Sequence, residues 1–439
     1  MSSLSPARDV ALDILLRVEQ GGFASELLHS ERLDRLSAQD RGLTTELVMG
    51  ALRWRSRLDA AIASLSSQPL AKLDAEVLES LRLAAYQIGF LSRIPAHAVV
   101  NDAVELVKRK KKRSAASFVN GVLRKLLARK DVLEPVPAPG PKTIPELSVL
   151  YAHPLWMVDR WAGQFGLEAA EQICAHNQQI PPTAIHLAGP DAEKELIAAG
   201  IKPSPGRLLK SARVVTNGDI TKTTVFAAGR IQIQDEGSQL VAMLAGRGQR
   251  LLDCCAAPGG KTAIMAERNP QSEIVATELH EHRVREMRER LKRRVNVTVT
   301  QADASNLDLP GDFDRVLADV PCSGTGTLAR NPEIKWRLNT GDLADLHGRQ
   351  VAILRGALAK LRSGGRLIYS TCSLESEENE AVVTEVGATV LSVAEELENL
   401  RREGLLLVDD FSGIIHGPFL RILPGQFGTD GFFAALLTR

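Results

Sequence analysis

One stretch decides the fold: Asp253-Cys254-Cys255-Ala256-Ala257-Pro258-Gly259-Gly260-Lys261-Thr262, directly after the apolar run Arg250-Leu251-Leu252. A short apolar run of this kind predicts a buried β-strand. Its paired glycines permit a tight turn into a helix, and small residues let backbone N–H groups approach a ligand at the helix N-terminus. The stretch therefore predicts a cofactor loop between a strand and a helix.

Two familiar phosphate-binding loops do not fit this stretch. A P-loop would need a glycine six residues before its lysine, and Cys255 occupies that position. The GxGxxG spacing of the dinucleotide-binding loop is also absent. The loop is therefore expected to bind a nucleotide-type cofactor by close backbone approach and not by either of these motifs.

From about Ser238 onward, strand and helix patterns alternate. Strands are predicted at 250–253, 274–277, 297–299, 315–318 and 366–369, with helices such as 281–294 and 343–361 between them. Alternation of this kind predicts parallel βαβ units and a doubly wound, Rossmann-like α/β sheet. Ligands bind at the carboxyl ends of such strands, so residues there are candidates for a shared site.

Acidic residues follow consecutive predicted strands. Asp253 ends the first strand, Glu278 ends the next, and Asp303 follows the third. A carboxylate at the second position can accept both hydrogen bonds from a ribose diol, and Asp303 could accept one from an exocyclic amino group. A lone acid after a strand is usually a cap or turn residue, but three on consecutive strands favour a nucleoside-containing cofactor.

Two cysteines lie at later strand ends. Cys322 belongs to Asp319-Val320-Pro321-Cys322-Ser323-Gly324, and Cys372 to Tyr369-Ser370-Thr371-Cys372-Ser373. Two thiols beside a cofactor loop predict nucleophilic catalysis. A zinc site is rejected, because Cys254-Cys255 lacks CxxC spacing and no histidine pair completes a ligand set. Cys174 and, for the most part, Cys254 are expected to be inert core residues.

The loop and the two cysteine signatures together resemble the RNA (cytosine-5) methyltransferase family. The resemblance implies a Rossmann-like domain with S-adenosylmethionine as cofactor. It places these residues around that cofactor: Cys255, Ala256, Ala257, Pro258, Gly259, Gly260, Lys261, Glu278, Asp303 and Asp319.

The same resemblance implies a covalent mechanism. It assigns Cys372 as the nucleophile that adds to cytosine C6 and Cys322 to product release. Chemistry alone leaves these two roles open, because DNA cytosine methyltransferases use a Pro-Cys nucleophile. Asp319 could serve the base at N3 and the exocyclic amine, and Lys261 could lower a thiol pKa or hold Asp319.

The N-terminal part of the chain reads as helices from about residue 5 to 130, which predicts a helical bundle. Asp40-Arg41 and Phe118 to Arg124 resemble a NusB-like RNA-binding domain. Four prolines within 134–142 predict a linker. The predicted domains are a NusB-like bundle (1–133), a proline-rich linker (134–145), an α+β connector (146–235) and a methyltransferase domain (236–439).

Two basic segments are candidates for RNA contact. One is the run Lys108-Arg109-Lys110-Lys111-Lys112-Arg113, which could equally be a solvated helix end. The other is Lys335-Trp336-Arg337, which offers cationic and aromatic groups near Cys322. A target base would have to leave its stack to reach the thiols.

Composition limits the class of protein. The chain is 44% hydrophobic, which suffices for packed cores, and five cysteines without secretory spacing favour a reducing compartment. There is no signal-peptide core and no run of eighteen apolar residues. We therefore expect a soluble, cytoplasmic protein, monomeric and without a membrane partner.

The resemblance implies methylation of small-subunit (16S) ribosomal RNA, either free or within an assembly intermediate. One alternative keeps the chemistry and changes the substrate to transfer RNA or 23S ribosomal RNA. Another is a catalytically inactive, NusB-like RNA-binding factor. Retention of both thiols, Asp319 and the complete loop argues against the inactive factor.

Overall fold

A computed structural model describes residues 4–134, 142–189 and 191–439. Its contacts divide the chain into two compact units: Met1–Gln179 with Leu328–Arg337, and Ile180–Thr327 with Leu338–Arg439. Most of the predicted linker, residues 135–141, lies outside the described residues. The domain boundaries expected at 133, 145 and 235 remain a prediction.

The first unit is helical, as expected from its three- and four-residue apolar spacing. Helix α6 supplies its centre, because Leu81 and Ala85 are fully buried there. The helices of the unit up to Gln179 are α1 (Pro6–Glu19), α2 (Ala24–Leu27), α3 (Glu31–Asp34), α4 (Ala38–Arg53), α5 (Arg55–Leu65), α6 (Ala75–Phe90), α7 (Ala96–Arg109), α8 (Ala116–Ala128), α9 (Ile144–Leu150), α10 (Leu155–Phe165) and α11 (Leu167–Asn177).

The chain then alternates strands and helices. All of these elements lie in the second unit except α17, which lies in the Leu328–Arg337 segment of the first. They are β1 (Thr183–Leu187), α12 (Asp191–Ala198), β2 (Ser204–Pro205), β3 (Ala212–Val215), α13 (Thr224–Ala227), β4 (Ile231–Ile233), α14 (Glu236–Leu244), β5 (Arg250–Asp253), α15 (Gly260–Arg268), β6 (Glu273–Glu278), α16 (Glu281–Leu291), β7 (Val297–Gln301), β8 (Phe313–Asp319), α17 (Ile334–Arg337), α18 (Asp342–Lys360), β9 (Leu361–Thr371), α19 (Glu380–Val386), β10 (Thr389–Leu391), α20 (Ala394–Arg402), β11 (Ile415–His416), β12 (Phe419–Ile422) and β13 (Phe432–Thr438).

Two sheets organise the second unit. Strands β2-β3-β1-β4 form an antiparallel sheet of four. The larger sheet contains five parallel strands in the order β7-β6-β5-β8-β9, followed by antiparallel β13. This order confirms the predicted Rossmann-like sheet, and it reverses between β5 and β8, where ligands bind in such folds.

The central parallel strands β5 and β8 are largely apolar and buried, as expected where helices cover both faces of a sheet. Leu251 and Leu252 in β5, and Val316 and Leu317 in β8, are fully buried. Among the described residues, no helix is both long and apolar enough to cross a membrane. The sheet therefore carries the core of the second unit and presents the carboxyl ends of β5 and β8 side by side.

Candidate active site

The two signature cysteines lie at the ends of neighbouring strands. Asp319, the last residue of β8, pairs in register with Ser370 of β9. Cys322 lies three residues after Asp319, and Cys372 lies two residues after Ser370. Both cysteines therefore follow their strands at the same edge of the sheet. The structure places Cys322 Sγ 3.3 Å from Cys372 Sγ.

The two thiols are electrostatically different. Hydrogen bonding to Cys372, burial and the negative charge of Glu378 together raise the pKa of Cys322 well above its ordinary value. Either thiol can donate in this contact, and the raised pKa of Cys322 favours the proton on that sulfur. A sulfur that accepts such a hydrogen bond is the one better prepared to carry negative charge and attack.

Asp319 is held between two side chains. Lys261 Nζ lies 2.7 Å from one carboxylate oxygen, and Ser370 Oγ donates to the other at 2.7 Å. Burial opposes the charge of Lys261, but the nearby Asp319 carboxylate outweighs it and raises the pKa of the lysine. Lys261 therefore keeps its proton, and the two hydrogen bonds fix the direction of the Asp319 carboxylate.

The loop after β5 borders a cavity at the β5/β8 switch point. Gly259 has φ +98°, a conformation that favours glycine, at the start of α15. A Cβ on Gly260 would lie 3.2 Å from Gln234 Oε1, so the backbone approaches closely there. The lining residues are Ile233, Gln234, Ser238, Asp253, Cys255, Ala256, Ala257, Pro258, Gly260, Lys261, Arg290 and Asp319.

Asp253 gives this cavity an available acceptor. Its Oδ2 accepts a hydrogen bond from Thr262 Oγ1 at 2.7 Å, whereas buried Oδ1 has no hydrogen-bond partner among the described residues. Burial raises the pKa of Asp253 to about 7. A buried acceptor left unpaired costs free energy, so a ligand that donates a hydrogen bond here would be stabilised. The residues present thus fit a cofactor with an amino or hydroxyl group.

The other two acids expected near the cofactor lie at the ends of their strands but not in the cavity lining. Glu278 ends β6, is buried, and accepts a hydrogen bond from His280 N at 2.9 Å. Asp303 is exposed, and one oxygen accepts from Ser305 N at 2.9 Å and Ser305 Oγ at 2.7 Å. Their cofactor roles remain predictions.

Several polar residues of the site were missed from the sequence. The sequence predicts Asp253 only as one of three acids at strand ends and assigns it no contact, and it offers Ser370 only as part of a cysteine signature. Glu378 and Asn379, both fully buried beside the two cysteine loops, were not singled out at all. The available signal was the polar run Ser376-Glu377-Glu378-Asn379-Glu380 shortly after Cys372.

The expectation of RNA contact at Lys335 is corrected by its burial. The residue is 1% exposed, and its Nζ donates to Arg53 O at 2.8 Å and Ala152 O at 3.0 Å, within the first unit. Burial, aided by the charge of Arg53, lowers the pKa of Lys335 well below its ordinary value. Lys335 has no surface to offer a phosphate, and it acts as a structural donor instead.

The two neighbours of Lys335 are engaged in the same unit. Trp336 Nε1 donates to Leu52 O at 2.6 Å. Arg337 donates to the backbone carbonyls of Val18 and Gly22. An RNA contact at either residue would have to compete with these hydrogen bonds.

The basic run lies at the end of α7 and in the turn after it. Its ion pairs join Lys108 to Glu105, Arg109 to Asp9, Lys110 to Asp13, and Lys112 to Asp74 and Glu76. Lys111 and Arg113 are exposed and have no ion pair among the described residues. Most of the positive charge of this run is thus already balanced, which leaves Lys111 and Arg113 as the stronger candidates for an RNA phosphate.

Two family models match the chain. Residues 241–438 match the model described as 16S rRNA methyltransferase RsmB/F, and residues 5–128 match the NusB family. The first match covers the cofactor loop and both cysteine signatures, and the second covers α1 to α8. Helical bundle and Rossmann-like sheet therefore correspond to two separately known families.

Similar proteins cover nearly the whole chain. A probable ribosomal RNA small subunit methyltransferase B of Bacillus subtilis (strain 168) is 34% identical over 97% of both chains. A ribosomal RNA small subunit methyltransferase B of Pseudomonas syringae pv. tomato is 35% identical over 93% of this chain and 91% of its own. A methyltransferase homolog from Pyrococcus horikoshii has a solved structure with a TM-score of 0.56, 26% identity, and coverage of 68% of this chain and 100% of its own. The Rossmann-like sheet and the paired thiols agree with these relatives. The chain belongs to the ribosomal RNA small subunit methyltransferase B family.

Proposed function

We propose that this protein methylates C5 of a specific cytosine in small-subunit (16S) ribosomal RNA, with S-adenosylmethionine as methyl donor and a covalent Cys372–C6 adduct. One observation carries the proposal: the Cys322 and Cys372 sulfurs lie 3.3 Å apart, at the strand ends beside the Lys261–Asp319 pair. C5 methylation needs a nucleophile and a release group at one carbon–carbon bond, and this pair can supply both.

Covalent addition overcomes the poor nucleophilicity of cytosine C5. The Cys372 thiolate forms a bond to C6, and the π electrons of the C5–C6 bond move onto C5 and into the ring. C5 can then attack an electrophilic methyl group, which is what S-adenosylmethionine supplies when bound. The raised pKa of Cys322 favours the proton on that thiol, which would leave the neighbouring Cys372 sulfur to attack.

Asp319 is proposed to serve the base. Its carboxylate could accept a hydrogen bond from the exocyclic amine and, once N3 takes up a proton during addition, a second one from N3–H, which would stabilise the protonated ring of the adduct. Lys261 and Ser370 hold the two carboxylate oxygens at 2.7 Å each. Preorganisation of this kind lowers the reorganisation needed in the transition state.

Release requires transfer of the C5 proton to a base, for which solvent water suffices, while the C–H electron pair restores the C5–C6 double bond and the sulfur–C6 bond breaks to return the Cys372 thiolate. Cys322 is proposed to assist this stage because it already contacts the Cys372 sulfur. Its thiol can hydrogen-bond the departing sulfur and so stabilise the returning negative charge. The cofactor would be held by the loop Cys255 to Lys261, with Glu278 and Asp303 as proposed outer contacts.

Small-subunit ribosomal RNA is proposed as substrate because of the printed names of the relatives and the match to the NusB family. A basic segment with exposed Lys111 and Arg113 is available in the first unit to contact a phosphate. The substrate could be free RNA or a ribosomal assembly intermediate, and both can be supplied in the same assay.

The decisive experiment incubates purified protein with methyl-labelled S-adenosylmethionine and unmodified small-subunit ribosomal RNA, then maps the label by bisulfite sequencing. Label at one cytosine is expected. Label on transfer RNA or 23S ribosomal RNA instead would keep the chemistry and change the substrate. Binding without label on any RNA would favour an inactive RNA-binding factor.

A further inference from the structure

Glu378 is a fully buried carboxylate six residues after Cys372, at the end of a short 3₁₀ turn (Ser376–Glu378). One carboxylate oxygen accepts hydrogen bonds from Ser323 N at 2.8 Å and Gln350 Nε2 at 2.9 Å. The other accepts from the hydroxyls of Ser323 and Ser373. Both oxygens are thus fully engaged.

The two serines connect Glu378 to the two thiols. Ser323 directly follows Cys322, and Ser373 directly follows Cys372. Their hydroxyl oxygens lie 3.0 Å apart. One carboxylate therefore fastens together the residues next to both sulfurs, although the two loops come from different strands.

Asn379 adds a second connection on the Cys372 side. Its amide oxygen accepts a hydrogen bond from Thr371 Oγ1 at 2.6 Å, and its amide nitrogen donates to Ser373 O at 3.0 Å. Thr371 and Ser373 flank Cys372 on either side. The backbone around Cys372 is therefore fixed from both directions.

The four donors to Glu378 are all neutral groups. Burial of a carboxylate without a cation is costly, and several well-placed hydrogen bonds are needed to offset it. Neutral side chains could join the two loops at lower cost. A carboxyl group at this position, in place of a neutral side chain, indicates that the strength and direction of its hydrogen bonds matter.

We propose that Glu378 is a positioning residue, which acts through Ser323 and Ser373 to hold the Cys322 and Cys372 sulfurs in contact. Its effect on turnover rests on the proposed methyltransferase function, whereas its effect on the distance between the sulfurs does not. The negative charge of Glu378 also contributes to the raised pKa of Cys322, so the same residue helps to keep the proton on that thiol.

A dithiol reagent reads the distance between the sulfurs without RNA or cofactor. Phenylarsine oxide forms two As–S bonds with a close pair of thiols and releases one molecule of water. Both sulfurs belong to half-buried residues, so the wild-type protein should capture the reagent. Cys372→Ala supplies the baseline, because it retains the adjacent Cys254 and Cys255 and lacks only the proposed pair.

Glu378→Ala should lower the rate of arsenical capture at least tenfold toward the Cys372→Ala baseline, and Glu378→Gln should lower it less. In methylation assays both variants should lose kcat at least tenfold, with KM for RNA changed less than threefold, and should accumulate protein–RNA adduct because release is impaired. Glu385→Gln is the control: that residue is exposed, pairs with His347 and Arg355, and should leave capture and kcat unchanged.

Thermal unfolding establishes whether each variant folds. If Glu378→Ala does not fold, Ser323→Ala and Ser373→Ala carry the test, because each removes one hydroxyl and leaves the carboxylate. Capture at the wild-type rate by a folded Glu378→Ala, or by both serine variants, would overturn the proposal whatever the methylation assay gives. Slower capture in a protein whose wild type methylates no RNA would support the positioning role and reject the proposed function.

Discussion

Lys261 and Asp319 meet across the cofactor cavity, with 2.7 Å between Nζ and Oδ2, although the lysine follows β5 and the aspartate ends β8. The lysine side chain is 15% exposed and that of the aspartate 25%, so solvent screens the pair only partly. Loss of one partner would leave the other charge poorly solvated, and the pair should therefore contribute to stability.

Lys261→Met should reduce the free energy of unfolding by about 1.5–3 kcal/mol, the range for hydrogen bonds to charged groups in partly buried sites. Lys292→Met is the matched control, because its ion pair with Glu289 lies on exposed helix surface and should contribute below about 1 kcal/mol. Denaturant titration of both variants measures the difference. Equal losses of unfolding free energy in the two variants would show that burial does not strengthen the Lys261–Asp319 interaction.

The two thiols should give different mutant phenotypes. Cys372→Ala should abolish methyl transfer and leave cofactor binding intact, because it removes the attacking sulfur. Cys322→Ala should still add to the base but release slowly, so a covalent protein–RNA adduct should accumulate on denaturing gels. An adduct in Cys372→Ala instead would mean that the two roles are reversed.

Asp253 should make stability depend on pH. Its pKa is raised to about 7 in the folded protein by burial, against about 3.9 in an unfolded chain. Between these values the folded state binds more protons than the unfolded state, so this residue lowers stability progressively as pH rises through that window. Above pH 7 the loss of unfolding free energy through Asp253 no longer increases.

Asp253→Asn removes this titration. Relative to the wild type, the variant should therefore gain about 2–3 kcal/mol of stability between pH 5 and pH 8. Urea unfolding of both proteins without cofactor, at several pH values, gives the difference directly. A difference that stays constant with pH would show that Asp253 is ionised throughout.

RNA affinity should depend on Lys111 more than on Lys110. Lys110 is paired with Asp13, whereas exposed Lys111 has no ion pair among the residues described. Lys111→Gln should lower the slope of log affinity against log salt by about 0.7–0.9, the change for one lost phosphate contact. Lys110→Gln should change it less, and equal slopes for both variants and the wild type would exclude this turn from the RNA interface.

Much of the second unit could be predicted because its signals are local. The strand expected at 250–253 is β5 residue for residue, and the helix expected at 343–361 is α18 within one residue at each end. Buried parallel strands are continuously apolar and are bounded by turn residues, so their positions can be read from the sequence. The shared edge then follows from parallel topology, whereas the order of the strands comes from the structure.

Side-chain partners distant in sequence could not be predicted in this way. Lys335 stands in a polar segment typical of solvated surface, and only the carbonyls of Arg53 and Ala152 reveal it as a buried donor. Glu378 is one of four glutamates within Glu375–Glu380, and nothing local distinguishes it from its neighbours. Its importance comes from Ser323, which reaches it across the fold.

The segment Leu328–Arg337 belongs to the first unit, although the chain on either side of it belongs to the second. It leaves the second unit between β8 and α18, yet its hydrogen bonds join it to carbonyls of the first, among them Leu52 O. A protein truncated to begin at Ile180 would retain these ten residues and lose the acceptors of Lys335 and Trp336. Such a fragment would leave the ammonium of Lys335 and the indole N–H of Trp336 without their acceptors in Arg53, Ala152 and Leu52. Ten residues that sequence order assigns to the second unit therefore depend on the first for their hydrogen bonds.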